Sequence, residues 1–303
     1  MFIGLSFIGI LPKYIIECLH QIRCYYNGDI YLIIDDYDSQ YLSVILKYDV
    51  KIVRYDNLLG DIENFVTVVN ENINKFLIID ELNDRKLLFI RTFERFFLIH
   101  SLMKKYELTD CFFMEIDNLI YDNPLTWVNE FKKKELCFMF NNIDNYSSGI
   151  MFIKTYQSMN DFLSYLLNYI STSNDFMSEM ICLQRYYQLN KDDVYLLPIY
   201  WYDSGISCEA YINYGAYGES IFDAAAIGIF LLGEDAYHNN GTVVCGKKNP
   251  HSQIDYTKNL FEWKTVNNFK KPFIWKGDGW VLINNLHVHS KELHNGLSVP
   301  LPV

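Results

Sequence analysis

The chain has 303 residues, half of them apolar and 17% aromatic, with 26 Lys and Arg against 37 Asp and Glu for a formal net charge of -11. This composition supplies a sizeable core and excludes general disorder, which goes with few aromatic and β-branched residues. The acidic balance excludes nucleic-acid binding through a broad basic surface, so an anionic ligand must meet cations gathered locally. The seven cysteines are scattered and show no C-x-x-C spacing. They point to reduced thiols and a cytoplasmic setting. No run reaches the roughly 18 uncharged apolar residues of a membrane span, so no stable membrane insertion is expected. The apolar run Met1 to Leu11 lacks a basic leader and a small-residue cleavage site; it reads as a buried strand rather than a signal peptide.

In chain order, Phe2 to Ile8 predicts a strand, and Pro12 opens a helix whose Ile15, Ile16, Leu19 and Ile22 recur at helical spacing. Asp29 to Ile34 predicts a second strand ending in Asp35 and Asp36, Tyr41 to Leu46 a helix, and Val50 to Val53 a third strand. This alternation implies an α/β fold with a mostly parallel sheet and right-handed crossovers, with ligands beyond the carboxyl ends of the strands. Arg91 to Tyr106 predicts an amphipathic helix with Phe93, Phe96, Phe97, Ile99, Leu102 and Met103 on its apolar stripe. A strand over Cys111 to Met114 leads into Glu115-Ile116-Asp117-Asn118. Strands are predicted at Leu136 to Phe140 and Gly149 to Ile153, helices from Asp161 to about Leu189, and loops over Tyr200 to Tyr217. A small-residue helix over Phe222 to Leu232 and a final strand over Val281 to His289 complete the pattern, with no repeat or linker.

Three groups of residues could carry chemistry. Residues two apart in an extended segment face the same way, so Glu115 and Asp117 aim two carboxylates at one point past a strand end. They are either a solvated pair or ligands of Mg²⁺ or Mn²⁺, which take carboxylate oxygens together with substrate phosphates. His287 and His289 share a face by the same period, and Lys291 follows as a point charge suited to phosphate. Their alternative reading is a pair of hydrogen-bonded surface histidines. Between these groups, Asn145-Tyr146-Ser147-Ser148-Gly149 is either an ordinary hairpin turn or a close backbone approach to a ligand. Glu179 and Asp223 stand near predicted helix starts, as caps or as a general base for an acceptor hydroxyl. Trp201, Tyr202, Tyr211, Tyr214 and Tyr217 are either packing residues or stacking faces for sugar rings.

Arg95-Phe96-Phe97, Met103-Lys104-Lys105 and Cys111 to Tyr121, with Ser148 to Ile153, Phe222-Asp223-Ala224-Ala225-Ala226-Ile227-Gly228 and Asn285-Leu286-His287-Val288-His289-Ser290-Lys291, resemble a group of nucleotide-sugar glycosyltransferases with the GT-A fold. Members occur in large DNA viruses of algae and amoebae and in bacteria. The resemblance runs over most of the chain and implies one GT-A-like domain with a second, smaller acceptor-side lobe: a nucleotide-sugar-binding half over 1–122 and an acceptor half over 123–303 whose last strand returns to the metal site. It implies transfer from a nucleotide-diphosphate donor, by analogy a UDP-sugar, to a glycan or glycoprotein hydroxyl with Mn²⁺ or Mg²⁺, in the host cytoplasm if viral. In that pattern Asp117 is the direct metal ligand, Glu115 touches the ribose or a metal-bound water, and one of the two late histidines, His289 in preference to His287, completes the shell. Lys291 holds the diphosphate with help from Arg95, Ser148 and Gly149 lie at the donor sugar, and Glu179 lies near the reacting centre. By their place at a strand end Asp35 and Asp36 are candidates for the nucleotide, and Glu179 or Asp223 could serve as the base that inversion needs. Glu115 departs from the group's Asp-x-Asp. That departure keeps a second class open, a non-catalytic nucleotide-sugar or carbohydrate-binding protein. A binuclear phosphoesterase would need further ligands that the sequence does not offer.

Overall fold

The computed structural model describes residues 1–35, 40–76, 87–199, 210, 213–236 and 241–302. Asp36, Trp201, Tyr202 and Tyr211 lie outside them. Strands β1 (Phe2–Phe7), β2 (Ile30–Ile34) and β3 (Val50–Arg54) alternate with helices α1 (Ile15–Tyr25) and α2 (Leu42–Ile45). Helices α3 (Ile62–Glu71) and α4 (Leu88–Lys105) lead to β4 (Cys111–Met114) and the short β5 (Asn118–Ile120). The chain continues through α5 (Val128–Phe131), β6 (Leu136–Phe140), β7 (Tyr146–Ile153), α6 (Tyr156–Thr172), α7 (Glu179–Leu189) and β8 (Val194–Leu197). After α8 (Ala226–Leu232) come β9 (Phe261–Val266), β10 (Phe269–Trp275), β11 (Trp280–Leu282) and β12 (Asn285–His287).

The class is α/β, as expected, with a mixed, mostly parallel central sheet of seven strands in the order β3-β2-β1-β4-β7-β6-β8 and two smaller sheets, β11-β10-β9 and β12-β5. Within the large sheet β7 alone runs against its neighbours. The strands FIGLSF, IYLII and CFFM are near-continuous apolar runs because both faces of a parallel sheet are covered. Helix α4 covers one face. Its Phe96 meets Phe113 of β4 edge-on at 6.5 Å between centroids and Phe162 of α6 at 5.5 Å. The chain runs outward from β1 through β2 to β3 and then returns to β4 on the other side of β1. That reversal opens a crevice at the carboxyl ends of β1 and β4.

Three expectations change. The single strand over 281–289 is two strands in different sheets: β11 pairs with β10, and β12 pairs with β5. The 145–149 segment is not a turn for most of its length. β7 already begins at Tyr146, and a register shift between Phe138 and Met139 lets β6 follow it, so Ser147, Ser148 and Gly149 lie in a strand. The helix expected from Phe222 begins at Ala226, because Asp223 caps it by accepting the Ile227 and Gly228 amides at 2.9 and 2.8 Å.

Candidate functional site

Beyond β4 the chain stays in register for one more step: the Glu115 amide donates to the Gly149 carbonyl of β7 at 2.9 Å. A tight turn follows, closed by the Asn118 amide on the Glu115 carbonyl. The chain then enters β5, where Asn118, Leu119 and Ile120 pair antiparallel with His287, Leu286 and Asn285. This ribbon places a residue from the end of the chain beside the acidic triplet. His287 Nε2 lies 3.2 Å from Glu115 Oε2 and 3.4 Å from Asp117 Oδ2. The Val288 amide donates to the Asp117 carbonyl, and the chain turns back so that Lys291 Nζ donates to Asp117 Oδ2. Lys291 makes that turn with φ 63°, uncommon for a residue with a side chain.

Arg95 of α4 is the second cation. Its guanidinium pairs with Glu115, donates to Ser148 Oγ at 2.8 Å and lies 3.6 Å from Glu179 Oε1. Glu179 opens α7 behind its Ser178 cap and accepts from Thr92 Oγ1 of α4 at 2.8 Å. Asp35, at the end of β2, accepts the Gly9 amide at 2.7 Å and so ties together the loops after β1 and β2. Gly149 passes close to the His287 ring: a Cβ there would lie 3.1 Å from Nδ1 and 3.3 Å from Asn118 Nδ2.

The charges organise each other. Burial works against the Glu115 carboxylate, but the Arg95 guanidinium and the His287 ring hold it down to about 2. Burial likewise opposes Asp117, which Lys291 and His287 keep well below the usual carboxylate range. The Lys291 side chain is 40% exposed, so water screens part of its pairing with Asp117. Burial disfavours a charged His287, yet Asp117 and Glu115 raise it well above an ordinary histidine. His289 behaves oppositely. Burial, helped by the charges of His287 and Lys291, pushes it down to about 3. Burial raises Glu179, with Arg95 opposing. Burial also raises Asp223, against the amides of Ile227, Gly228 and His287.

A divalent cation fits these residues. One ligand atom each from Glu115, Asp117 and His287 lie within 4.8 Å of one another. Two carboxylates and an imidazole form a donor set suited to Mn²⁺ and, through the oxygens, to Mg²⁺. Among the described residues, Asp117 Oδ1 is buried without a hydrogen-bond partner, and so is His289 Nε2. An orphaned carboxylate oxygen is costly unless something compensates it, and a cation would.

Of the residues singled out from the sequence, Arg95, Glu115, Asp117, Ser148, Gly149, Glu179, His287 and Lys291 come together here. The His289 ring stacks obliquely on His287 with centroids 4.5 Å apart. Asp223 stands behind His287 and accepts its backbone amide at 3.2 Å. Tyr217 packs in the core against Phe131 and Phe222. Sequence reasoning missed Thr92, which was visible as the residue one helical turn before Arg95. It also missed Tyr14, after β1, whose phenol is pushed up by burial and then by the Asp117 charge. No local signal marked Tyr14.

No protein-family model matches the chain, and no curated protein matches it. Solved structures are similar in outline. Mouse xyloside xylosyltransferase 1, in its apo form, aligns with 65% of this chain and 84% of its own at 10% identity and a TM-score of 0.45. The PaToxG glycosyltransferase aligns over 62% and 69% at 12% identity and 0.40. A cytidylyltransferase from Leptospira borgpetersenii serovar Hardjo-bovis aligns over 67% and 77% at 11% identity and 0.39.

Proposed function

We propose that this chain is a metal-dependent glycosyltransferase, moving a sugar from a nucleotide-diphosphate donor to the hydroxyl of a glycan or glycoprotein. The observation that carries this reading is the convergence of Glu115, Asp117 and His287, flanked by Lys291 and Arg95, at the carboxyl edge of a mostly parallel sheet. Asp117 and His287 would hold Mn²⁺ or Mg²⁺, with Glu115 as a further ligand or a partner of the ribose. Such an ion supplies Lewis-acid neutralisation of the departing diphosphate. Lys291 would exchange Asp117 for a phosphate oxygen, a change its exposed, flexible stem permits. Arg95 holds Glu115 and Ser148 in place. Ser148 and Gly149 would border the donor sugar, and Asp35 and Asp36 the nucleoside, with UDP the nucleotide and 1–122 the donor half. Glu179 is buried and raised, which suits a general base that takes the acceptor's proton in an inverting reaction.

The test is release of nucleoside diphosphate from a panel of UDP- and GDP-sugars, with and without Mn²⁺. Turnover is expected only with the cation, and Asp117→Ala should reduce it to background. Full activity in Asp117→Ala ends this reading. Calorimetric nucleotide binding with no turnover across the panel would instead assign a nucleotide-sugar-binding protein.

A further inference from the structure

Asp223 was a candidate base, but its surroundings give it other work. Its Oδ1 accepts the Ile227 amide at 2.9 Å, and its Oδ2 accepts the amides of Gly228 at 2.8 Å and His287 at 3.2 Å. Its backbone is clamped as well. The Asp223 amide donates to Asn285 Oδ1, and Asn285 Nδ2 donates to the Asp223 carbonyl and to Asn118 Oδ1, each at 2.9 Å. The next residue completes the arrangement: the Ala224 carbonyl accepts from His287 Nδ1 at 2.8 Å.

A carbonyl oxygen only accepts, so Nδ1 must carry a hydrogen, and Nε2 is the ring position left to face Glu115 and Asp117. A hydrogen bond on one ring nitrogen commonly orients a histidine whose other nitrogen binds metal. Gly228 belongs to the same device. A Cβ at that position would collide with the His287 carbonyl and approach Asp223 Oδ2 to 3.0 Å, so glycine lets the start of α8 press against β12.

We infer that Asp223 is a positioning residue: by locking the start of α8 to β12 it sets the Ala224 carbonyl that orients the His287 ring, and thereby the metal affinity of the site. This rests on the metal site proposed above. The buried amide pair Asn118–Asn285 joins the same lock to β5 and thus to Asp117.

The experiment is Mn²⁺ binding to the full chain, read by electron paramagnetic resonance, for the wild type, Asp223→Asn, Gly228→Ala and His287→Gln. Spin-echo modulation from a coordinated ¹⁴N reports whether an imidazole sits on the ion, which general destabilisation of a still-folded protein would not alter. The wild type should bind with that modulation, and His287→Gln should lose it. Asp223→Asn and Gly228→Ala, folded by circular dichroism, should bind roughly 10- to 100-fold more weakly with reduced modulation. Wild-type affinity and full modulation in a folded Asp223→Asn or Gly228→Ala overturn the inference. The wild type alone gives a second reading. In ¹⁵N-histidine spectra of the Cd²⁺-loaded protein, His287 Nδ1 should carry the proton; a metal-bound Nδ1 overturns the inference. These readouts are metal affinity and ring coordination rather than turnover, so failure of the transferase reading and failure of this one are separate results.

Discussion

His287 and His289 are two residues apart, with their rings in contact, yet their protonation moves in opposite directions. The difference comes from what each ring faces. His287 looks at two carboxylates, which favour its charge over the cost of burial. His289 Nε2 is buried with no partner among the described residues, and the neighbouring cations add to the cost of charging it. His289 therefore gains a proton only near 3 in the folded chain, against about 6.5 when unfolded. Between those values the unfolded chain binds more protons, so stability falls as pH drops through that window. In metal-free buffer, urea midpoints of the wild type should fall relative to those of His289→Gln as pH is lowered from about 6.5. Parallel curves would show that His289 is solvated.

At the scale of elements, the site depends on a ribbon of three residue pairs, β5 with β12, too short to be stable alone. It is braced by its surroundings. Leu119 and Leu286 are buried, Gln21 of α1 donates to the Ile120 carbonyl at 2.6 Å, and α8 presses on β12. Helix α4 braces the opposite wall, because it carries Thr92 and Arg95 into the site while Phe93, Phe96 and Phe97 anchor it in the core. Phe96 is fully buried, so Phe96→Ala should leave a cavity and cost about 3–5 kcal/mol in urea unfolding. A loss below about 1 kcal/mol would mean that the surrounding core closes over the gap.

For the whole molecule, the proposed metal site closes a long loop: Asp117 and Lys291 are 174 residues apart. An unfolded chain does not hold such a set together, so a cation binding there stabilises only the folded form. At 100 times its dissociation constant Mn²⁺ should add about 2.7 kcal/mol, seen as a higher Tm in a thermal melt. Asp117→Ala should show no rise; an equal rise in both proteins would place the ion elsewhere. Among the described residues no helix is long and apolar enough to cross a membrane.

Local chemistry made much of this legible from the residues in order. Short continuous apolar runs marked β1, β2 and β4, a 3.6-residue stripe marked α4, and acids after an apolar strand marked the triplet, since each signal lies within a few residues of what it reports. Tertiary structure alone decided which strands pair. It divided the 281–289 run between two sheets, because periodicity reports a strand's face and not its neighbour. It also decided that Asp223 spends its oxygens on amides, one of them 64 residues away, and that His287 rather than His289 faces the carboxylates. A side chain's protonation and role follow from the groups it meets, and those arrive from distant parts of the chain only when it folds.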